Sequence, residues 1–180
     1  GGQRLDRTCR GGGENNAAPL ADWPNQVASP AAKAFLGYLK ASDAFYGERW
    51  DEAQQAFAGL AQAPDPWVRE TAAYMLGRVD LNAAQARAFD EYGWYQGLTT
   101  IDKAAVARAR DHLSAYLKAW PNGRYNASAT GLQRRALWLE GDTKGLAAEY
   151  ARQLASVKAG TEDAARLVEE IDNKLLFAGD

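Results

Sequence analysis

A short segment at residues 89–97 concentrates the side chains best suited to molecular recognition. Its sequence is Phe89-Asp90-Glu91-Tyr92-Gly93-Trp94-Tyr95-Gln96-Gly97, with four aromatic residues within seven positions. Tyrosine and tryptophan offer a large contact area and a polar tip at a small entropy cost, so they are enriched at recognition surfaces. The composition of this aromatic segment therefore predicts a binding surface.

Two interpretations of the aromatic segment are open. Either its rings fold back to cap or plug the neighbouring helices, or they form part of a pocket for a ligand or partner. In the second interpretation, side chains of an upstream helix complete the pocket. The residues that we assign to this pocket are Trp67, Arg69, Tyr74, Arg78, Asp90, Glu91, Tyr92, Trp94 and Tyr95.

Side chains for nucleophilic catalysis and for metal binding are scarce. Cys9 is the only cysteine and His112 the only histidine. An intramolecular disulfide and a Cys/His zinc site are therefore excluded by number alone. His112 lies in a helical stretch without a nucleophile motif, which indicates a histidine at the surface or at the edge of a groove. We expect no metal and no cofactor.

Two pairs of adjacent acids, Asp51-Glu52 and Asp90-Glu91, are the remaining candidates for acid–base chemistry. Glycoside hydrolysis needs two carboxyl groups that face each other across a cleft, and neighbours in the chain do not provide this. Asp51-Glu52 begins a predicted helix, where carboxylates favour the positive end of the helix dipole. We therefore expect no catalytic residue and no enzyme activity.

The overall composition is typical of a globular chain. Of 180 residues, 47% are hydrophobic and 24% are charged, which suffices for one domain with its own core. The net charge of −2 offers no basic surface for nucleic acid, and no apolar run approaches the roughly 18 residues of a membrane span. Residues 1–28 lack apolar periodicity and are predicted to be a flexible leader or an appended end, whereas residues 29–180 form the domain.

Helices are the only elements that the apolar spacing predicts. Ser29-Pro30 and Asp65-Pro66 each combine an N-cap residue with a proline at the first helical position. Between them, Gly47 separates two amphipathic segments. This arrangement predicts a helical hairpin of residues 30–46 and 50–60.

The second half of the chain is predicted to continue in the same way. Thr100 is the expected N-cap of a long helix over residues 101–119, and Thr161 is that of the last helix. Residues 81–100, approximately, are an insertion that a minimal helical repeat does not require. The remaining predicted helices span residues 125–139 and 143–157.

A glycine-to-alanine spacing recurs along the chain. Residues 47–53 and 141–147, which are 94 positions apart, both begin with glycine and an acid and end with alanine. A second pattern places a small residue, a large residue four positions later and a proline beyond them. Its two occurrences are Ala53, Phe57 and Pro64, and Ala109, Leu113 and Pro121.

These positions resemble the tetratricopeptide repeat (TPR), and Leu76-Gly77 resembles the Leu-Gly pair of its first helix. The resemblance covers approximately residues 30–176. It implies an all-α fold, namely a right-handed TPR-like α-solenoid of about three antiparallel helix pairs with about six to eight helices.

Two segments resemble particular TPR proteins of bacteria. Residues 116–125 are similar to the repeat junction of outer-membrane-assembly lipoproteins of the YfiO type, and residues 65–78 are similar to part of large cell-envelope TPR proteins. This resemblance implies a place in the bacterial periplasm or at the outer-membrane periphery, with membrane association through a lipid anchor outside this sequence.

The same resemblance implies a function. It predicts a non-catalytic scaffold or adaptor that binds a protein or peptide partner. Binding of a small ligand, such as a glycan or peptidoglycan fragment, is one alternative. A role as a helical accessory domain of a larger enzyme is another.

Overall fold

The fold consists of helices joined by short connections. A computed structural model describes residues 29–88, 92, 94 and 96–176. The seven α-helices of these residues are α1 (Pro30–Tyr46), α2 (Trp50–Gly59), α3 (Pro66–Ala84), α4 (Lys103–Ala119), α5 (Asn126–Glu140), α6 (Thr143–Ser156) and α7 (Glu162–Ile171). A 3-10 turn (Leu98–Thr100) precedes α4, and a π-helical turn (Asp172–Leu176) follows α7. The described residues contain no strand, which confirms the predicted all-α fold of six to eight helices.

Three predicted helix starts are confirmed by side-chain caps. The Ser29 hydroxyl accepts a hydrogen bond from the amide of Ala32 at 3.1 Å, and the Asp65 carboxylate accepts one from Val68 at 2.9 Å. Thr161 caps α7 in the same way. Each cap satisfies an amide that has no partner within its own helix, so these starts follow from local sequence alone.

The predicted start of α4 is wrong by two residues. Asp102, rather than Thr100, is the N-cap, and its Oδ1 accepts from the amides of Ala104 at 2.9 Å and Ala105 at 3.1 Å. The Thr100 hydroxyl instead donates to the carbonyl of Gly97 at 2.8 Å. A carboxylate satisfies two unpaired amides at once and carries the charge that a helix N-terminus favours, so Asp102 outcompetes Thr100.

The two glycines of the recurring spacing end their helices by different means. Gly141 adopts a left-handed conformation with φ of 76° between α5 and α6, which glycine does at no steric cost. Gly47 does not, because the neighbouring Glu48 takes the positive φ of 57°. At that turn the Arg49 guanidinium lies against Gly47 and bridges the carboxylates of Asp43 and Glu52. The two turns are therefore similar in sequence but differ in local structure.

The main core lies where α1, α2, α3 and α4 meet. Phe57, Leu113 and Ala53 are fully buried there. Gly77 allows α3 and α4 to approach closely, because a Cβ at this position would lie 2.6 Å from Leu113 Cγ. The fully buried Ala109 belongs to a second cluster between the end of α3, α4 and α5. These recurring small and large residues therefore lie at the contacts between the first helices.

The odd-numbered helices form one continuous layer. Side chains connect α1 with α3, α3 with α5, and α5 with α7. We call the surface of this layer the odd-helix face. The connecting pairs are Tyr38 and Trp67, Tyr74 and Ser128, and Arg134 and Glu170. Among the described residues, no helix is long and apolar enough to cross a bilayer.

Candidate functional site

Three of the predicted site residues share one side of α3. Trp67, Tyr74 and Arg78 are separated by seven and four positions, which places them on the same helix face. Trp67 is half-buried and packs edge-on against Tyr38 of α1, with 4.9 Å between ring centroids. The structure therefore brings these three residues to the odd-helix face.

Tyr74 contributes to packing rather than to an open surface. Its ring stacks on Tyr125 at a centroid distance of 4.6 Å, and its hydroxyl forms a 2.6 Å hydrogen bond with Ser128. Only 6% of Tyr74 is exposed. This predicted site residue therefore joins α3 to the start of α5.

Arg69 lies apart from the other predicted residues of α3. Its Nη1 donates to the carbonyl of Ala63 at 3.0 Å, which ties α3 to the connection that precedes it. Arg69 is two positions from Trp67, which puts it on the opposite side of the helix. Its role in the described structure is to hold a loop.

Arg78 is the predicted site residue with the clearest binding chemistry. Its guanidinium carbon lies 5.1 Å from the centroid of the Phe45 ring and 5.9 Å from that of Tyr74. Among the described residues, its Nη1 has the weak acceptor Met75 Sδ at 3.7 Å. No carboxylate among the described residues forms an ion pair with Arg78, so its positive charge is available to a ligand.

The aromatic segment is described only in part. Asp90, Glu91 and Tyr95 lie outside the described residues. Tyr92 and Trp94 are 79% and 72% exposed. A plug requires burial, which these two rings do not have.

A cleft of about 510 Å³, which is not among the predicted sites, opens on the odd-helix face. One side of α5 forms its floor, with Gly131, Arg135 and Trp138. Gln85, which follows α3, lies at one edge, and Lys174 of the π-helical turn lies at another. The volume is typical of pockets that hold a small molecule or a few side chains.

Arg134, Glu170 and Tyr150 form a fixed wall of the cleft. The Arg134 guanidinium binds Glu170 through two hydrogen bonds of 2.8 and 3.1 Å, and the Tyr150 hydroxyl donates to the same carboxylate at 3.0 Å. Burial raises the pKa of Glu170, but the bonds from Arg134 more than offset this, so its pKa lies below the ordinary value. Glu170 is therefore ionised at neutral pH and held by three hydrogen bonds.

Two further cations in the cleft have no carboxylate partner among the described residues. The Arg135 Nη2 donates to Gln85 Oε1 at 2.6 Å, and Lys174 Nζ lies 3.5 Å from the centroid of the Trp138 ring. Burial and then the positive charge of Arg135 lower the pKa of Lys174. Three cations against one carboxylate give the cleft a net charge of +2, although the whole chain carries −2.

The floor of the cleft carries a sequence signal that the predicted site did not include. Gly131, Arg134, Arg135 and Trp138 follow the spacing of one helix face, with a tryptophan and two adjacent arginines. This combination indicates recognition of an anionic group. Lys174 carries no comparable signal, because it reaches the cleft through a turn more than 30 residues further along the chain.

His112 lies away from the odd-helix face. Its Nδ1 forms a 2.7 Å hydrogen bond with Asp80, whose side chain is 3% exposed and is also bound by Arg108. The histidine predicted at the surface or at the edge of a groove is half-buried, and its side chain links α4 to α3. Within the part of the chain that the structure describes, no three His, Cys, Asp or Glu side chains are grouped closely enough to hold a metal ion.

The fold and the cleft together define an all-helical protein of stacked helix pairs with a positively charged cleft on one face. No protein-family model, no curated protein and no solved structure matches the chain. The function is therefore argued from the geometry of the odd-helix face.

Proposed function

We propose that this protein is a non-catalytic, TPR-like scaffold of the bacterial cell envelope that binds a protein or peptide along its odd-helix face. The observation that carries this proposal is the cleft on that face, whose cations outnumber its carboxylates. Such a cleft suits one part of a larger partner, which the rest of the face contacts.

The distance between Arg78 and the cleft supports a peptide ligand. Gln85, at the edge of the cleft, follows Arg78 by seven residues and is the C-cap of α3. At about 1.5 Å per helical residue, the two positions are roughly 10 Å apart along α3. An extended peptide of about three residues covers this distance. Arg78 and the cleft therefore form two contact points for a single short segment.

The similarity of residues 65–78 and 116–125 to bacterial envelope TPR proteins supports the family and the location in this proposal. The first segment contributes residues to the odd-helix face, and the second contributes residues that pack against them. Trp67, Tyr74 and Arg78 come from the first segment, and the second contains Tyr116 and Tyr125, which pack against Tyr74.

Selection of binding peptides tests the proposal even though the natural partner is unidentified. A displayed library of random peptides is selected against the full chain, and the enriched peptides are titrated against variants. Loss of the Arg78 charge in Arg78→Ala is expected to weaken binding about tenfold. Arg69→Ala is the matched control, because it removes an arginine from the opposite side of the same helix. Melting temperatures of both variants report on folding.

Failure to enrich any peptide, or equal binding by Arg78→Ala and the parent chain, would contradict the proposal. The exposure of Tyr92 and Trp94 favours a second candidate, glycan binding, because exposed aromatic rings stack on sugars. A glycan array that shows binding by the parent chain and none by Trp94→Ala, together with failed peptide selection, would replace the first candidate with the second.

A further inference from the structure

We propose that the cleft on α5 binds an acidic side chain of the partner peptide, whose carboxylate is held between Arg135 and Lys174 beside the Trp138 ring. This inference rests on the proposed peptide binding along the odd-helix face. It assigns a ligand chemistry to one defined part of that face.

The first argument is charge. Seven of the eleven arginines among the described residues form ion pairs with carboxylates, but Arg135 does not. Lys174 also forms no ion pair with a described carboxylate, and the neighbouring positive charge of Arg135 adds to burial in lowering its pKa. Like charges that are close together and partly shielded from water repel each other. An anion between the two groups would remove this repulsion.

The second argument is that no carboxylate among the described residues forms an ion pair with Arg135 or Lys174. Glu170 is the only carboxylate that lines the cleft among the described residues. Both of its oxygens are bound by the Arg134 guanidinium, and the Tyr150 hydroxyl adds a third bond. The charge of Glu170 acts on Lys174 without an ion pair between them, so Arg135 and Lys174 keep their hydrogen-bonding capacity for an external anion.

The third argument is preorganisation. Gln85 fixes the Arg135 guanidinium at 2.6 Å, and the Trp138 ring holds the Lys174 ammonium at 3.5 Å from its centroid. Neither cation has to give up a charged partner when a ligand arrives. A site whose donors are already positioned loses less entropy on binding.

The fourth argument is space for a peptide. A Cβ added at Gly131 would meet only Arg134 Nη2, at 3.7 Å, which is an ordinary van der Waals distance. The floor of the cleft is therefore open beside the α5 backbone. Because the cleft is also open to solvent at the side and Arg78 lies on the same face, the acidic group is better supplied by a longer chain than by a free ion.

A capped peptide is the direct probe of this inference. Tetraglutamate with an acetylated N-terminus and an amidated C-terminus carries only side-chain carboxylates, and capped tetraglutamine is its neutral match. Calorimetric titration of the full chain is expected to show binding of tetraglutamate and none of tetraglutamine. The Trp138 indole N–H signal, assigned with Trp138→Phe, is expected to shift in NMR spectra during the titration.

Variants then place the binding in the cleft. Arg135→Gln with Lys174→Gln is expected to weaken tetraglutamate binding at least about tenfold. Lys118→Gln with Lys144→Gln is the matched control, because it removes the same charge from two exposed lysines outside the cleft. Gly131→Trp is expected to block binding by filling the floor of the cleft.

Four outcomes would overturn the inference. The first is the absence of tetraglutamate binding. The second is equal weakening by the cleft and control double variants, which would indicate a general charge effect. The third is binding of inorganic phosphate in the cleft that tetraglutamate does not displace, which would assign the site to a free anion. The fourth is a set of selected peptides whose binding is weakened by Arg78→Ala but not by Arg135→Gln with Lys174→Gln. This outcome would contradict the inference and leave the proposed function intact.

Discussion

Glu70 is a buried carboxylate that holds the turn between α4 and α5. It is 8% exposed and accepts hydrogen bonds from the Tyr116 hydroxyl at 3.0 Å, the Arg124 amide at 2.7 Å and the Arg124 Nε at 3.1 Å. Gly123 is needed at this turn, because a Cβ there would lie 2.4 Å from the Tyr116 hydroxyl. Burial and the neighbouring charge of Glu70 raise the pKa of Tyr116 to about 12, so its hydroxyl remains a donor at neutral pH.

Replacement of Glu70 by glutamine is expected to lower the free energy of unfolding by about 1–3 kcal/mol at neutral pH, because the amide cannot accept all three bonds. Burial raises the pKa of Glu70, but the bonds from Arg124 and Tyr116 outweigh it and lower the pKa below 4.5. The stabilisation is therefore fully present above the ordinary pKa and is lost as the pH falls through the lowered one. Urea unfolding from about pH 7 to about pH 3 measures both effects.

Glu162→Gln is the control for this prediction, because Glu162 pairs with Arg166 at the exposed surface. Its effect is expected to be less than about 1 kcal/mol. A loss of stability in Glu70→Gln that is equally large at low and neutral pH would contradict the assigned role of the Glu70 charge.

At the scale of an element, the residue at which a helix begins depends on local sequence and on competition between neighbouring N-cap residues. Ser29-Pro30 and Asp65-Pro66 were predictable, because cap, proline and apolar period agree within a few residues. Thr100 and Asp102 are both suitable N-cap residues two positions apart, and spacing alone did not separate them. The 3-10 turn before α4 uses the Thr100 hydroxyl and leaves the helix amides to Asp102.

Asp102→Ala is expected to lower the free energy of unfolding by about 1 kcal/mol, because two amides at the start of α4 lose their acceptor. Thr100→Ala should have a smaller effect, since its hydroxyl bonds only to the carbonyl of Gly97. Thermal unfolding of the two variants checks the order. A larger loss of stability in Thr100→Ala than in Asp102→Ala would indicate that Thr100 is the N-cap.

At the scale of the whole molecule, burial is distributed unevenly along the chain. Eleven of the nineteen residues of α3 are buried, whereas α6 has two buried residues and α7 has one. Leu154 and Val168, on α6 and α7, are 39% and 48% exposed. In a stack of helix pairs each pair is stabilised mainly by its neighbours, so the last helices depend on the fewest contacts.

Hydrogen exchange of backbone amides is expected to follow this distribution. Amides of α3 and α4 should exchange slowest, and those of α6 and α7 should exchange faster by local opening from that end. Mass spectrometry of proteolytic fragments after exchange at neutral pH measures the order. Protection of α7 equal to that of α3 would show that the described helices unfold as a single unit.

The sequence predicted packing better than it predicted the site, and the reason is the range of the interactions. Ala53 and Phe57 are four residues apart on one helix, so their shared burial follows from periodicity. Tyr74 has the residue type of a binding surface, but Tyr125, about 50 residues later, covers it. Arg135 and Lys174 meet only through the arrangement of α5 and the π-helical turn, which no local pattern encodes.

Backbone hydrogen bonds hold the chain in place on both sides of the aromatic segment. The Gln96 amide donates to the carbonyl of Ala88 at 2.8 Å, and the Asp102 amide donates to that of Ala84 at 3.0 Å. These two backbone bonds fix the ends of the segment independently of its side chains. Doubling the length of such a loop costs only about 0.6 kcal/mol in closure entropy. The stretch between Ala88 and Gln96 is therefore a natural grafting site, where a foreign epitope can be displayed while the paired helices serve as its rigid carrier.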